Sequence, residues 1–269
     1  MTDTETTEAP RARTGRFQDR RLLVTGGSRG LGEHVVRLLV SEGARVAVCA
    51  RNPEPLAALS DSLEPAGALF VRALDVTETE ALGQFVEDAV AELGGLDGFV
   101  ACAGGARGRG IEQATAQDWS ATWEMNVGHA ARLTAAVTTH LRAAGGGAIV
   151  VVASISGWKP GPQAQYGAAK AAQIHMVSSL ARELAGDRIR INAVSPGSML
   201  IPGKRWDRMR GEDPSAFARF LEEFPGRELV SPQEVADVIA FLLSDQSRGV
   251  TGANIPVDKG QNAPTPDGY

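Results

Sequence analysis

Seven short apolar runs, separated by stretches whose apolar residues recur at helical spacing, constrain the fold of this chain more than any other feature. The runs, which we predict to be strands, lie at 21–25, 44–50, 68–75, 96–104, 147–154, 188–197 and 253–258. The helical stretches lie at 31–43, 53–64, 78–93, 117–143, 163–185 and 232–243. Runs that are apolar throughout are typical of parallel strands buried on both faces by helices. The sequence therefore predicts a doubly wound α/β fold with a seven-stranded parallel sheet.

The length of 269 residues suits one domain, which we expect to span residues 17–262. Residues 1–16 are rich in Thr, Glu, Pro and Arg and are predicted to be a disordered tail, and residues 263–269 a C-terminal tail. A loop at 104–116 and a longer insertion at 198–230, which carries several aromatic residues, interrupt the alternation. Both follow the carboxyl ends of predicted strands, where open parallel sheets bind ligands. We expect the insertion to form a substrate lid.

Composition argues against several classes of protein. The net charge of −5 gives no basic footprint for nucleic acid. Cys49 and Cys102 lie in apolar runs and are interpreted as reduced core thiols, and the four histidines lack metal-ligand spacing, so no metal site is expected. Neither a membrane-spanning run nor the apolar core of a signal peptide is present, which makes the cytoplasm the expected location.

A glycine-rich turn joins the first strand to the first helix. Glycines at this point permit a tight turn, and the helix N-terminus carries a partial positive charge that attracts phosphate. A turn of this kind can also serve geometry alone, but its place between a strand and a helix favours a nucleotide. The turn residues expected to bind the cofactor are Gly26, Ser28, Arg29, Gly30, Leu31 and Gly32.

The end of the second strand bears on the choice between NADP(H) and NAD(H). An acidic residue there binds the ribose hydroxyl of NAD, whereas a nearby Arg accommodates the 2′-phosphate of NADP. The strand ends in Arg51 and Asn52 without a carboxylate, and Arg29 approaches from the glycine turn. Both arginines can instead be solvated surface charges. The pattern favours NADP(H), with Arg51 pairing with the phosphate through its guanidinium group.

Four polar residues form a candidate catalytic set. Tyr166 and Lys170 lie four apart in a helical stretch and so share one face. A nearby cation lowers the pKa of a tyrosine toward the range useful for acid–base catalysis. Ser154 ends the preceding strand, and Asn126 interrupts a helical stretch, where we expect it to hold a water that links Lys170 to solvent. Each residue alone has a structural interpretation, but their shared sheet edge favours carbonyl reduction.

The chain resembles the short-chain dehydrogenase/reductase family. Its Thr25–Gly32 segment matches the family pattern T-G-x-x-x-G-x-G, and Asn126, Ser154, Tyr166 and Lys170 match the catalytic tetrad. Further matches, which the resemblance assigns to cofactor binding, are Asp75, Val76, Ala103, Gly104, Pro196 and Gly197. The stretch Val250–Asp258 is similar to the C-terminal signature, with Lys259 where the family commonly has Gly. Ala101 and Cys102 replace two asparagines of the family, which weakens the match at the fourth strand.

The resemblance implies a single-domain Rossmann fold and an activity like that of 3-oxoacyl-carrier-protein reductases. We therefore expect an NADP(H)-dependent oxidoreductase that interconverts a ketone and a secondary alcohol, with Tyr166 as the general acid or base. An epimerase or dehydratase that uses a bound cofactor, and a catalytically silent NADP(H) sensor or scaffold, remain alternatives. By resemblance alone we expect a homo-oligomer, a tetramer or a dimer.

The substrate is less constrained. The apolar residues of the 198–230 insertion favour a medium-sized, partly hydrophobic ketone. The basic residues near the predicted mouth are Arg107, Arg109, Lys204 and Arg205. They are interpreted either as a site for a carboxylate or a carrier-bound phosphopantetheine, or as solvated loop charges.

Overall fold

Seven parallel strands form one sheet in the computed structural model, which describes residues 15–63 and 68–262. The strands are β1 (Arg21–Thr25), β2 (Arg45–Ala50), β3 (Leu69–Ala73), β4 (Gly98–Ala101), β5 (Gly147–Val152), β6 (Ile189–Pro196) and β7 (Asn254–Val257). Their order is β3-β2-β1-β4-β5-β6-β7, and all neighbouring strands are parallel. The predicted sheet is confirmed. Residues 1–14 and 263–269, most of the two predicted tails, lie outside the described residues.

Nine α-helices occur in the described residues. They are α1 (Gly30–Ser41), α2 (Pro53–Asp61), α3 (Thr79–Leu93), α4 (Ala116–Trp123), α5 (His129–Ala143), α6 (Ala164–Leu184), α7 (Arg205–Glu212), α8 (Pro214–Leu221) and α9 (Pro232–Leu243). The predicted helix at 53–64 ends earlier, at Asp61, with Ser62 as its C-cap. No helix among the described residues is long and apolar enough to cross a membrane.

Two apolar cores lie on opposite faces of the sheet. Successive strand residues point to opposite faces, so Val150 packs with α1 and α9, whereas its neighbours Ile149 and Val151 pack with α3, α5 and α6. All three side chains are fully buried. This two-sided burial explains why the strand sequences are apolar throughout rather than alternating.

The sheet reverses its strand order between β1 and β4, and this point determines where a ligand can bind. The chain first builds outward from β1 to β3 and then crosses to the other side of β1. The Thr25 hydroxyl at the end of β1 accepts hydrogen bonds from the backbone N–H groups of Cys102 (3.1 Å) and Ala103 (3.2 Å), which follow β4. This contact holds the two strand ends together at the crevice where open α/β sheets bind their ligands.

The helical stretch predicted at 117–143 is divided in the structure. A π-helical turn, Glu124–Gly128, separates α4 from α5 and contains Asn126. Such single π turns inside α-helices frequently occur at functional sites. The sequence-based expectation that Asn126 interrupts this helix is therefore correct, although the chain stays helical on both sides.

The 198–230 insertion contains α7 and α8 and returns to the point at which it leaves the sheet. Met199 and Val230 form an isolated parallel bridge, and the Val230 N–H donates to the Ser198 carbonyl at 3.2 Å. Between these ends, the rings of Trp206 and Phe220 stack with their centroids 3.7 Å apart, which joins α7 to α8. The insertion is thus a two-helix flap with a closed neck.

Candidate active site

The glycine turn fits closely against the ends of β1 and β4. Gly26 has φ +70°, and a Cβ atom added there would lie 2.9 Å from the backbone of Ala103. A Cβ on Gly32, within the first turn of α1, would lie only 2.2 Å from the Gly26 carbonyl oxygen. A side chain at either position would therefore clash with backbone, and the residues at the start of α1 line an open cavity. This arrangement suits a phosphate group.

Two arginines lie at the end of the cavity next to β2. Arg29 and Arg51 line the same cavity as the glycine turn. Asp75, which also lines it, accepts hydrogen bonds from the Thr77 N–H (3.0 Å) and hydroxyl (2.8 Å). Burial raises the pKa of Asp75, but the Thr77 hydrogen bonds and the charges of Arg51 and Arg107 outweigh it and the net shift is downward. Asp75 is thus a carboxylate that closes the turn before α3 and partly balances Arg51.

Ser154 and Tyr166 meet above the carboxyl end of β5. Ser154 follows this strand by two residues, and Tyr166 lies in the first turn of α6. The two side chains are hydrogen-bonded, and the Ser154 hydroxyl also accepts from the Ser156 N–H at 3.1 Å. Burial raises the pKa of Tyr166, while the Ser154 hydrogen bond opposes that rise.

Lys170 is buried one turn below Tyr166. Its ammonium donates to the Val152 carbonyl at 2.8 Å and to the Gln173 side-chain oxygen at 2.9 Å, and it lies 5.5 Å from the centroid of the Tyr166 ring. Burial lowers the pKa of Lys170 to about 7. The expectation that Lys170 lowers the pKa of Tyr166 is not met, because burial is the largest influence on the pKa of both groups.

Asn126 supports the site from behind the cavity. Its side-chain nitrogen donates to the carbonyls of Gly105 and Thr122, each at 2.7 Å, and its side-chain oxygen accepts from the Gly105 N–H at 3.2 Å. Its backbone carbonyl accepts from the Gln173 amide at 2.8 Å. The side chain thus fixes the loop after β4. The side chain of Gln173 lies between the Asn126 backbone carbonyl and the Lys170 ammonium and is hydrogen-bonded to both.

A single cavity of about 400 Å³ brings the predicted residues together. Every residue predicted from the sequence to bind cofactor or to act in catalysis lines it, except Asn126. Met125, Met199 and Ile201 add apolar walls. The sequence did not single them out as site residues, although Met199 and Ile201 lie within the 198–230 insertion that we expected to form the lid. Gln173 was missed because nothing in its local sequence marks it. In the described residues, no group of three or more His, Cys, Asp or Glu side chains could hold a metal ion.

The four basic residues near the predicted mouth differ in their placement. Lys204 lines the cavity. The guanidinium of Arg205 lies 4.4 Å above the centroid of the Trp206 ring. Arg107 and Arg109 are exposed and do not line the cavity, and the Arg107 carbonyl accepts a hydrogen bond from the Gln165 amide at 2.6 Å. The four charges therefore do not form one cluster.

Comparison with known proteins finds relatives that are all named as reductases or dehydrogenases. A family model described as enoyl-(acyl carrier protein) reductase matches residues 26–262. The chain is 33% identical over 245 residues to 3-oxoacyl-(acyl-carrier-protein) reductase FabG of Escherichia coli (strain K12), covering 91% of this chain and 98% of that protein. It is also 33% identical over 245 residues to isoepoxydon dehydrogenase patN of Penicillium expansum, covering 89% and 93%. A solved short-chain type dehydrogenase/reductase from Mycobacterium ulcerans has a TM-score of 0.84 at 31% identity, covering 91% of this chain and 90% of that one.

The family model extends from the glycine turn to the segment that follows β7, so its match includes the whole cavity and every strand except β1. The relatives are named as reductases and dehydrogenases, and their length is nearly that of the matched region. The sheet order and the crevice between β1 and β4 agree with a Rossmann architecture. The chain therefore belongs to the short-chain dehydrogenase/reductase family of Rossmann-fold oxidoreductases.

Proposed function

We propose that this protein is an NADP(H)-dependent oxidoreductase that interconverts a ketone and a secondary alcohol. The observation that carries the proposal is that Ser154, Tyr166 and Lys170 line the same cavity as the glycine turn. A phosphate-binding turn alone fits any nucleotide. A tyrosine and a lysine at its other end add groups that handle a proton next to a redox cofactor.

The residues fit a dinucleotide. The glycine turn would hold the pyrophosphate, Arg51 and Arg29 the 2′-phosphate, Asp75 and Val76 the adenine side, and Ala103 and Gly104 the floor. Pro196 and Gly197 would flank the nicotinamide end. When bound, the nicotinamide supplies the hydride for reduction or accepts it for oxidation.

The protein's own residues manage the proton. In the reduction direction, Tyr166 gives its phenolic proton to the carbonyl oxygen as the carbonyl carbon gains the hydride, so that a ketone becomes a secondary alcohol. Ser154 donates a hydrogen bond to the same oxygen and stabilises its developing charge. Lys170, when protonated, stabilises the phenolate that remains. In the oxidation direction, the phenolate takes the hydroxyl proton back.

Tyr166→Phe tests this assignment directly. The variant keeps the ring but loses the proton, so NADPH binding should remain and turnover should fall by a factor of about 10² to 10⁴. Turnover is followed with a ketone panel, and binding by NADPH fluorescence. The chain has one other tyrosine, Tyr269. Tyr269→Phe is the matched control and should keep full turnover; equal turnover in the two variants would refute the role of Tyr166.

The proposed substrate is a medium-sized, partly hydrophobic ketone. Support comes from the apolar walls formed by Met125, Met199 and Ile201. A ketone screen that compares NADPH with NADH tests both substrate class and cofactor. Rates with small charged ketones above those with apolar ones would argue against the substrate class.

We also propose that the protein works as a homo-oligomer, a tetramer or a dimer, in the cytoplasm. The support for assembly is membership of the family. Light scattering coupled to size exclusion measures the assembled mass, and a monomer at micromolar concentration would contradict the proposal.

A further inference from the structure

Gln173 connects two parts of the candidate site that are distant in sequence. It lies on α6, three residues beyond Lys170, and its side chain is fully buried. Its oxygen accepts from the Lys170 ammonium at 2.9 Å, and its nitrogen donates to the Asn126 carbonyl at 2.8 Å. The amide therefore bridges α6 to the π-helical turn. Its oxygen meets a donor and its nitrogen meets an acceptor.

The bridge limits what the Lys170 ammonium can do. An ammonium has three N–H donors. One N–H is directed to the Val152 carbonyl and a second to the Gln173 side-chain oxygen. The third N–H is left for a ligand or for an interaction with Tyr166, whose ring lies nearby. Because two acceptors from different elements hold the nitrogen, its position is fixed before any ligand binds.

We propose that Gln173 is a positioning residue that ties the Lys170 ammonium to the carbonyl of Asn126 and so holds the cation in place beneath Tyr166. This inference rests on the proposed function, because it requires Lys170 to act on Tyr166 during proton transfer. The neutral amide accepts at one end and donates at the other, so the bridge orients the cation without itself passing a proton.

The other titratable groups around Lys170 do not change charge near neutrality. They are the Cys102 thiol after β4, the His129 imidazole at the start of α5, and Tyr166 on α6. Burial raises the pKa of Cys102 to about 12 and lowers the pKa of His129 to about 3, while the pKa of Tyr166 is raised by burial. A titration near pH 7 in this cluster therefore belongs to Lys170, whose pKa burial lowers to about 7.

Two variants with opposite expected effects test the bridge. Gln173→Met keeps the length of the side chain but removes the acceptor of the charged ammonium, so the pKa of Lys170 should fall. Gln173→Glu keeps the size and adds a negative charge, so the pKa of Lys170 should rise. Each shift should be about one pH unit or more. If the role of Gln173 were purely structural, the two substitutions would not shift the pKa of Lys170 in opposite directions.

The titration can be read without turnover. The chain has only four lysines, Lys159, Lys170, Lys204 and Lys259, so protein labelled with ¹³C-lysine gives few signals. The signal missing from Lys170→Arg identifies Lys170. Gln165→Met is the matched control, because Gln165 is a buried glutamine of the same helix that bonds to Arg107 rather than to Lys170. It should leave the Lys170 midpoint where it is.

Activity provides a second measurement. Gln173→Met should lower kcat about tenfold or more at pH 7, with KM for the ketone changed much less, because the bridge acts on the proton-transfer step. The alkaline limb of the kcat profile should move to lower pH in Gln173→Met and to higher pH in Gln173→Glu. Far-UV circular dichroism checks folding. Should Gln173→Met fail to fold, the shift in the nearly isosteric Gln173→Glu decides the question.

The outcomes separate this inference from the proposed function. Opposite shifts of the Lys170 midpoint support the bridge. Unchanged midpoints, or shifts in one direction, overturn it even if Tyr166→Phe abolishes turnover. Full turnover in Tyr166→Phe overturns the proposed function and the catalytic role of the bridge with it, whatever the lysine titration shows.

Discussion

Four buried polar side chains lie in the wall of the cavity or behind it, namely Asn126, His129, Lys170 and Gln173. Burying a polar group costs free energy unless it is hydrogen-bonded. Asn126, Lys170 and Gln173 hydrogen-bond to one another or to nearby backbone. His129 differs, because neither ring nitrogen has a hydrogen-bond partner of normal geometry among the described residues.

His129 should make the fold sensitive to acid. Burial, with a smaller contribution from the Lys170 charge, lowers the pKa of His129 from 6.5 to about 3. Below pH 6.5 the unfolded chain takes up a proton that the folded protein does not, so stability falls as pH falls through this window, by about 1.4 kcal/mol per pH unit. At pH 5 the loss should be about 2 kcal/mol.

His129→Leu should remove this contribution. The measurement is the free energy of unfolding in urea at pH 7 and pH 5, compared between variant and wild type. His175→Gln, at an exposed position of α6, is the control and should keep the wild-type pH dependence. An unchanged pH dependence in His129→Leu would show that the imidazole is not held neutral by burial.

The glycine turn and α1 act together as one element. A Cβ on Gly32 would meet the backbone carbonyl of Gly26, which cannot move without opening the turn. Gly83, on the exposed side of α3, has no atom within 4 Å of such a Cβ. The two helical glycines therefore differ in what surrounds them rather than in their secondary structure.

Alanine substitution should affect these two glycines in opposite directions. Gly32→Ala should lower stability by about 1–3 kcal/mol and weaken NADPH binding, since the turn must shift. Gly83→Ala should raise stability by about 0.5–1 kcal/mol through its higher helix propensity. Urea unfolding and NADPH titration measure both effects. Wild-type NADPH affinity in Gly32→Ala would mean that the turn does not contact the cofactor.

The strands could be predicted from the sequence, including the edge strands β3 and β7, which are only partly buried. The helices of the insertion could not. Each of the seven strands has an apolar run that is recognisable without its neighbours. The predicted fourth strand, 96–104, extends past its observed end at Ala101, because small residues continue the apolar run. Helices α7 and α8 were not predicted, because no residue in either is buried and α7 is strongly polar.

The same distinction applies to the site. Tyr166 and Lys170 could be paired from the sequence because four residues make one helical turn. The bond between Gln173 and Asn126 joins residues 47 positions apart on different helices, and helical spacing carries no information about such a contact. The charge environment of Tyr166 was also misjudged, because the burial of both groups depends on the packed structure.

At the scale of the whole molecule, the cavity draws on both halves of the chain. Residues 26–104 supply the glycine turn, Arg51 and the floor, and residues 152–204 supply the proposed catalytic side chains and the first residues of the insertion. A ligand that binds across this crevice stabilises the folded domain as a unit. At a free concentration one hundred times Kd, the gain is about 2.7 kcal/mol.

Cofactor preference should therefore appear as a difference in thermal stability. NADPH should raise Tm more than NADH at equal concentration, because Arg51 and Arg29 provide charges for a 2′-phosphate. Arg51→Asp should reverse this order by repelling the phosphate and offering a carboxylate to the ribose hydroxyl. Arg248→Asp, the same charge change at an exposed position outside the cavity, should leave the order unchanged. Equal or larger shifts with NADH in the wild type would refute the argument from Arg51.

The bridge between Met199 and Val230 has a consequence for how such a protein can diversify. The bridge holds the two ends of the insertion next to each other. The length and sequence of the segment between them can therefore change without altering the register of β6 or the start of α9. The insertion can thus be exchanged as a cassette, while the cofactor-binding frame is inherited unchanged. Mutations that alter what the enzyme accepts and mutations that alter which cofactor it uses would then fall in separate stretches of the gene, and selection could act on one without disturbing the other.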